Sequence, residues 1–420
     1  MMTQAFYTGI SGMKNSAAGI DVVSNNLANV STIGFRGYTT EFASLFEDSL
    51  ASASGLNDSV GLGTQIQASS MITKQGSLAL SDRSTDIAIM GSGWFGVQRE
   101  GEPVFTRDGT FSFDANDDLV TIDGYHVLGT MGNNINQDDV LIEKLDAIPL
   151  GDINAQEKLR FPKSLTYPPE PSTNAKFLAN LGTGKEGFEI VTVGASVVDP
   201  QNNKNHLRLE FSKDPVQNPP GTQWNVTATT QSLDGETIYD TQTGRVEFSE
   251  AGALLSSTLT TIDNNGAPVT IDLGSGYDGV VSIDIPVVPG SSVADGTIGG
   301  DLLGYSINKN AEVIATFSNG QQSSVGKIAI YHFANEQALE RINGTRFSPS
   351  DNSGDPIFYT DANGQNIIGT EIQNFRLESA NVEMSVGLTD LIILQRSFDA
   401  NSKSITTADQ MMQKALNMDA

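Results

Sequence analysis

The sequence predicts an α+β protein that is mainly β, with one long helix at each end of the chain. Three observations carry this. Near the N-terminus Phe6, Ile10, Met13, Ala17, Ile20, Val23, Leu27 and Val30 recur at intervals of three and four, which places them on one helix face. Within residues 385–416, Leu391, Leu394, Phe398, Ile405, Ala408, Met412 and Ala415 do the same around one polar interruption, Asn401, as in a heptad seam. Between the ends the period drops to two, and Gly, Asn and Asp separate short apolar runs, the pattern of antiparallel strands and turns.

The first helix reaches about 40 Å and the last about 45 Å at the usual rise per residue. Each carries a single narrow stripe, and the segment between them offers no further helical partner. The stripes can cover one another or be covered by copies of the chain. A long helix is stable in water only when its apolar face is covered, so the two ends are expected to order on assembly. The residues expected to carry assembly are Phe6, Ile10, Met13, Ile20 and Leu27 on the first helix and Leu391, Leu394, Phe398, Ile405 and Met412 on the second.

Composition narrows the function. The chain has 420 residues, 42 Gly and a formal net charge of −26, suiting a turn-rich β protein and disfavouring nucleic acid or an anionic membrane surface as partner. Cysteine is absent and the three His, at 126, 206 and 332, stand far apart. A thiolate metal site or cysteine nucleophile is therefore excluded, and neither cofactor nor metal is expected. No apolar run approaches the length of a membrane span, and residues 1–23 lack the continuous apolar core of a cleavable signal peptide. No paired-carboxylate spacing suggests hydrolytic chemistry, so no enzyme activity is expected.

After the first helix the chain reads Ser24-Asn25-Asn26-Leu27-Ala28-Asn29-Val30-Ser31-Thr32-Ile33-Gly34-Phe35-Arg36. Asn and Gly tolerate positive φ, so this is helix-stop chemistry. As a pattern it resembles the signature of the flagellar rod and hook proteins, matched here by Asn25, Asn26, Ala28, Asn29, Gly34 and Phe35. The stretch from Ser379 to Glu383, with Leu391, Gln395, Arg396, Asn401, Thr407, Asp409 and Gln410, resembles the closing segment of the same family.

Residues 36–70 read as a linker. Phe42, Leu45 and Phe46 suggest a short apolar turn, and residues 52–63 a flexible Gly/Ser loop or extended arm. From Met71 the strand period begins, with turns at Asp108-Gly109, residues 114–118 and Asp123-Gly124. Two motifs here point elsewhere and are discounted. Gly91-Ser-Gly-Trp-Phe-Gly96 fits GxGxxG, but no helix opens after it to hold a phosphate, so a strand connection is expected. Residues 114–118 hint at a calcium loop, yet Leu119 and Tyr125 stand where Gly and Glu are needed, leaving a solvated hairpin turn.

A Pro cluster over residues 149–171 suggests a junction. Alternating runs follow around Val193, Leu207, Trp224, Val246, Ile271 and Val280, enough strands for a second β unit, a barrel or sandwich. Residues 311–317 and 325–333 flank an Asn319-Gly320 hairpin turn. The triplets at Asn225 and Asn343 fit glycosylation only by chance composition, and His206 is expected on a solvent face.

The family resemblance implies a nested architecture. Residues 1–35 and 380–420 would form a helical inner layer, with 36–70 and 366–379 connecting it to an inner β domain of 71–148 and 301–365. Residues 149–300 would form an outer β domain inserted in the inner one. It implies a structural subunit that polymerises into the flagellar hook, a curved, flexible tube that couples the rod to the filament, transmits torque for swimming and lies outside the cell. The outer β region favours that role over a straight distal rod subunit, and leaves a hook-protein paralogue of the basal body as the open alternative. A secreted β-rich adhesin or carbohydrate-active enzyme is a more distant reading. The implied partners are the chain itself, the distal rod protein, the hook cap protein, the hook–filament junction protein and the flagellar type III export apparatus, with no nucleic acid and no membrane insertion.

Overall fold

The computed structural model describes residues 2–44, 63–183 and 190–418. Helix α1 spans Met2–Ala28 and helix α2 spans Met384–Met418, as the periodicity requires. Where a linker was expected, strands β1 (Tyr38–Ser44) and β2 (Thr64–Met71) form an antiparallel ribbon. The ribbon escapes sequence reading because it is solvated along most of both faces and built from Thr, Ser and Gln, so it carries no apolar alternation. Phe42 lies within it, whereas Leu45, Phe46 and residues 52–62 lie outside the described residues.

The first hydrophobic core joins Trp94, Phe95, Phe105, Phe111, Val127 and Leu141 to Val313, Phe317, Ile328, Ile330 and Phe347, all buried. Its sheet interleaves early and late chain: His126–Met131 lies between Gln322–Ile328 and Trp94–Gln98. Aromatic edges meet faces, with Trp94 and Phe347 rings 4.9 Å apart and Phe105 and Phe333 also 4.9 Å apart, a geometry that adds to the gain from burial alone. Leu150, Leu159, Phe161, Leu165 and Tyr167 also belong to this core, as do Ile368 and Ile372. The sequence reading gave these positions to the outer β domain and to a connecting segment. The Pro-rich stretch packs without regular alternation, so its burial is not visible as a period. Within the 366–379 segment, Glu371–Asn374 pairs with Ile87–Met90, and Arg376–Glu378 pairs with Leu78–Leu80.

The second core lies between the two halves of the first. A five-stranded antiparallel meander runs Val191–Val198, Lys204–Lys213, Thr222–Ser232, Ile238–Phe248 and Leu254–Ser257. Its inner face, with Val193, Leu207, Leu209, Phe211, Trp224 and Val246, packs on Ala175, Phe177, Ile262, Val269 and Val280. The chain leaves and returns side by side, with Ala175 opposite Ala294 and Lys176 opposite Val293 in antiparallel register. Asp295 fastens this neck by accepting from the Thr173 hydroxyl at 2.6 Å and from the backbone N–H groups of Thr173 and Asn174.

The discounted motifs resolve as connections. Gly91 and Gly93 have φ of +95° and +122° and turn the chain from Ile87–Met90 into Trp94–Gln98. Residues 114–118 turn the hairpin of Phe111–Phe113 and Leu119–Thr121. Asn319 and Gly320 turn Glu312–Phe317 into Gln322–Ile328. His206 is exposed on its strand.

Candidate assembly surface

Helices α1 and α2 pair antiparallel, and the pairing is one of small residues against large. A Cβ built on Gly9 would lie 2.6 Å from Ile405, on Gly12 2.6 Å from Asn401, and on Gly19 3.0 Å from Leu394. The Ser16 hydroxyl donates to the Ser397 hydroxyl at 3.3 Å. At the other end the roles reverse: Gly387 receives Leu27, whose Cδ1 would lie 3.0 Å from an added Cβ. Gly9, Gly12, Ser16 and Gly19 therefore form a heptad stripe of their own, one position before Ile10, Met13 and Ile20. Small residues let helix backbones approach closely and turn the partner's side chains into knobs in shallow holes.

Of the two ways to cover the stripes, pairing within the chain accounts for part. Leu394, Ile405 and Leu27 find a mate in the other helix of the same chain. Ala408 is buried, while Phe6, Met13, Ile20, Leu391 and Met412 are half-buried. Ile10 and Phe398 remain 39% and 37% exposed. Ile392 and Ile393, absent from the expected set, are 52% and 59% exposed, and Tyr7, Met384, Val386, Leu388 and Met411 also face solvent. The small stripe was present in the sequence at spacings of three and four. It goes unread when only large apolar residues are counted. Exposed apolar side chains in this number along a helix pair are what a covering protein would bury.

The base of the helix pair is held by side-chain amides. Asn26 donates to the Tyr38 carbonyl at 2.6 Å and accepts from the Tyr38 N–H at 3.0 Å, replacing a strand neighbour at the start of β1. Asn381 acts likewise before α2, accepting from the Gly37 N–H and donating to the Ile72 and Lys74 carbonyls. Asn29 donates back to the carbonyl and side chain of Asn25 and closes the helix end, where Ala28 is exposed. Gly34 has φ of +69°, and a Cβ there would sit 2.4 Å from the Asp108 nitrogen, so the position admits only glycine. Phe35 is buried beneath the Arg341 guanidinium, 4.6 Å from its ring centroid.

Beneath this collar lies a buried ion cluster. Glu378 pairs with Arg36 at 3.0 Å and with Arg107 at 3.3 Å, all three within the interior. Both guanidinium groups lie by the Trp94 ring, at 6.0 and 5.6 Å. Burial, reinforced by Arg36, lowers Arg107 to about 10 against the attraction of Glu378. Arg36 and Glu378 flank the two helices in sequence, whereas Arg107 comes from the first core. The cluster thus ties the helix pair to the β region. Desolvation offsets much of the attraction in such a buried set, while removing one member would leave an uncompensated buried charge.

Comparison with known proteins agrees with this architecture. Family models described as "Flagella basal body rod protein", "Flagellar hook protein FlgE/F/G D1 domain" and "Flagellar basal body rod FlgEFG protein C-terminal" match residues 6–36, 88–157 and 373–418. The curated flagellar hook protein FlgE of Borreliella burgdorferi is 29% identical, with 99% of this chain and all of that protein covered. That of Escherichia coli is 27% identical, with 99% of this chain and all of that protein covered. The crystal structure of Helicobacter pylori flagellar hook protein FlgE2 aligns with a TM-score of 0.53 at 16% identity. It covers 72% of this chain and all of that one, which speaks to the fold. The matched helical ends, the matched first β region and the end-to-end similarity to hook proteins agree that this chain resembles the flagellar hook and basal-body rod proteins along its whole length.

Proposed function

We propose that the chain is a structural subunit of a flagellar hook, and that its helix pair is the element through which copies polymerise into a tube. The observation that carries this is the exposed apolar surface along the paired helices, Ile10, Ile392, Ile393 and Phe398 above all. The pair satisfies its own small-against-large seam and leaves these side chains to neighbouring copies. The expected anchors Phe6, Met13, Ile20, Leu27, Leu391, Leu394, Ile405 and Met412 then divide into those that build the pair and those at its margins. The β regions lie outside this helical layer and meet neighbours through polar, hydrated surfaces that tolerate sliding, giving a tube that bends while transmitting torque. Hook and basal body follow as the location. The distal rod, hook cap and hook–filament junction proteins follow as axial partners, and the flagellar type III apparatus as the export route.

The test is the double substitution Ile392→Ser with Ile393→Ser. The variant keeps the helical content and thermal midpoint of the parent within experimental scatter, since both residues are solvent-facing. It forms no tubes by negative-stain electron microscopy under conditions where the parent does. Tubes of normal length and number would overturn the reading.

A further inference from the structure

One cluster is left unused by assembly. Asp114, Asp118 and His126 each bring a potential ligand atom within 4.8 Å of the other two. Asp114 and Asp118 close the hairpin turn, and His126 opens the strand beside it, where Val120 pairs with His126. Asp118 is 1% exposed, and among the described residues neither its Oδ1 nor His126 Nδ1 has a hydrogen-bond partner, His126 Nδ1 lying 3.5 Å from Asp118 Oδ2. A buried carboxylate oxygen without a donor is costly in water-free surroundings. The geometry is rigid, because Asp114 Oδ1 accepts from the Asn116 and Asp118 N–H groups at 2.8 and 2.9 Å. The cation now serving the cluster is the Lys158 ammonium, 2.9 Å from Asp118 Oδ2 on a side chain that is mostly exposed.

We propose that Asp114, Asp118 and His126 form a three-ligand site for a divalent transition metal of the zinc or nickel class. Lys158 occupies the position of the charge until metal displaces it. One imidazole nitrogen with two carboxylates suits these ions, whereas calcium and magnesium favour all-oxygen sets. Bound metal satisfies the orphaned Asp118 oxygen and His126 nitrogen together and staples the hairpin to the neighbouring strand. This is a different feature from the calcium loop excluded by Leu119 and Tyr125, since His126 lies outside that loop.

The experiment is calorimetric titration of zinc chloride into the full-length, unassembled protein, with thermal unfolding followed in parallel. The expected result is one saturable site per chain and a higher unfolding temperature. His126→Ala and Asp114→Asn, the latter retaining the turn-capping oxygen, each weaken binding by about tenfold or more. Lys158→Met tightens it by removing the competing ammonium, and His206→Ala, at an exposed position elsewhere, changes nothing. Thermal midpoints without metal establish that each variant is folded. Absence of saturable binding at millimolar zinc, or unaltered affinity in His126→Ala, would overturn the proposal and leave Lys158 as a counter-ion of Asp118.

Discussion

Asp199 shows how much a single carboxylate organises in the outer β region. It is fully buried, and it accepts from the N–H groups of Gln201 and Asn203 and from the side-chain amides of Asn203, Asn205 and Asn265. Burial alone raises its pKa, but these donors, Asn265 first, together outweigh that and hold the carboxyl below the usual carboxylate range. A carboxylate lowered on folding adds stability that is fully present above its unfolded value, near 3.9, and is lost as pH falls through the folded value. The outer region should therefore lose stability below about pH 4. Asp199→Asn places an amide nitrogen against other amide donors and costs about 1–3 kcal/mol at neutral pH. The variant's thermal midpoint should then change less than the parent's between pH 6 and pH 3. The turn itself is readable from Asp199-Pro-Gln-Asn-Asn, but the strongest donor, Asn265, arrives from 66 residues away, and only the fold brings it in.

At the scale of the element, the helix pair depends on absence of side chain as much as on its presence. Gly12→Leu drives a side chain into Asn401, whose nitrogen already lies 2.6 Å from the position of a Cβ. Substitution also raises intrinsic helix propensity at this position, so an isolated helix would gain. In the pair the overlap dominates, and the two helices separate. Circular dichroism should lose part of the helical signal on mild heating while the β signal holds, and tube formation should fail. The existence and span of both helices were legible because a 3.6-residue period persists over many turns. The pairing face was not, because glycine carries no hydrophobic signal and its role exists only relative to Leu394, Asn401 and Ile405 on the partner. The ribbon of Tyr38–Ser44 and Thr64–Met71 was hidden for the opposite reason: it is largely exposed on both faces, so hydropathy does not alternate. The motif at Asn25, Asn26, Asn29 and Gly34 was visible as a pattern. Its mechanics needed the distant Tyr38 and Asp108 backbone positions.

For the whole molecule, the second core is an excursion from the first, and the place where it can be removed follows from packing. The outgoing and returning segments lie side by side at Ala175 and Ala294. Replacing residues 174–295 by a short Gly/Ser linker spans only the width of one strand pair, about 5 Å, and leaves the first core whole. A cut at residues 149–300, where the Pro-rich junction falls in the sequence, instead removes Leu150, Leu159, Phe161, Leu165 and Tyr167 from that core. Loss of one such side chain typically costs about 2–5 kcal/mol, so loss of all five exceeds the stability of an ordinary domain. The shorter deletion should purify as a folded monomer and, with assembly carried by the helices as proposed, still form tubes, thinner in projection. The longer one should be insoluble or lack a cooperative melt. Tubes from the longer deletion, or failure of the shorter one to fold while the parent does, would show that the two cores are not independent. In that case the bending of the assembled tube would have to pass through both cores together instead of through sliding at the outer surface.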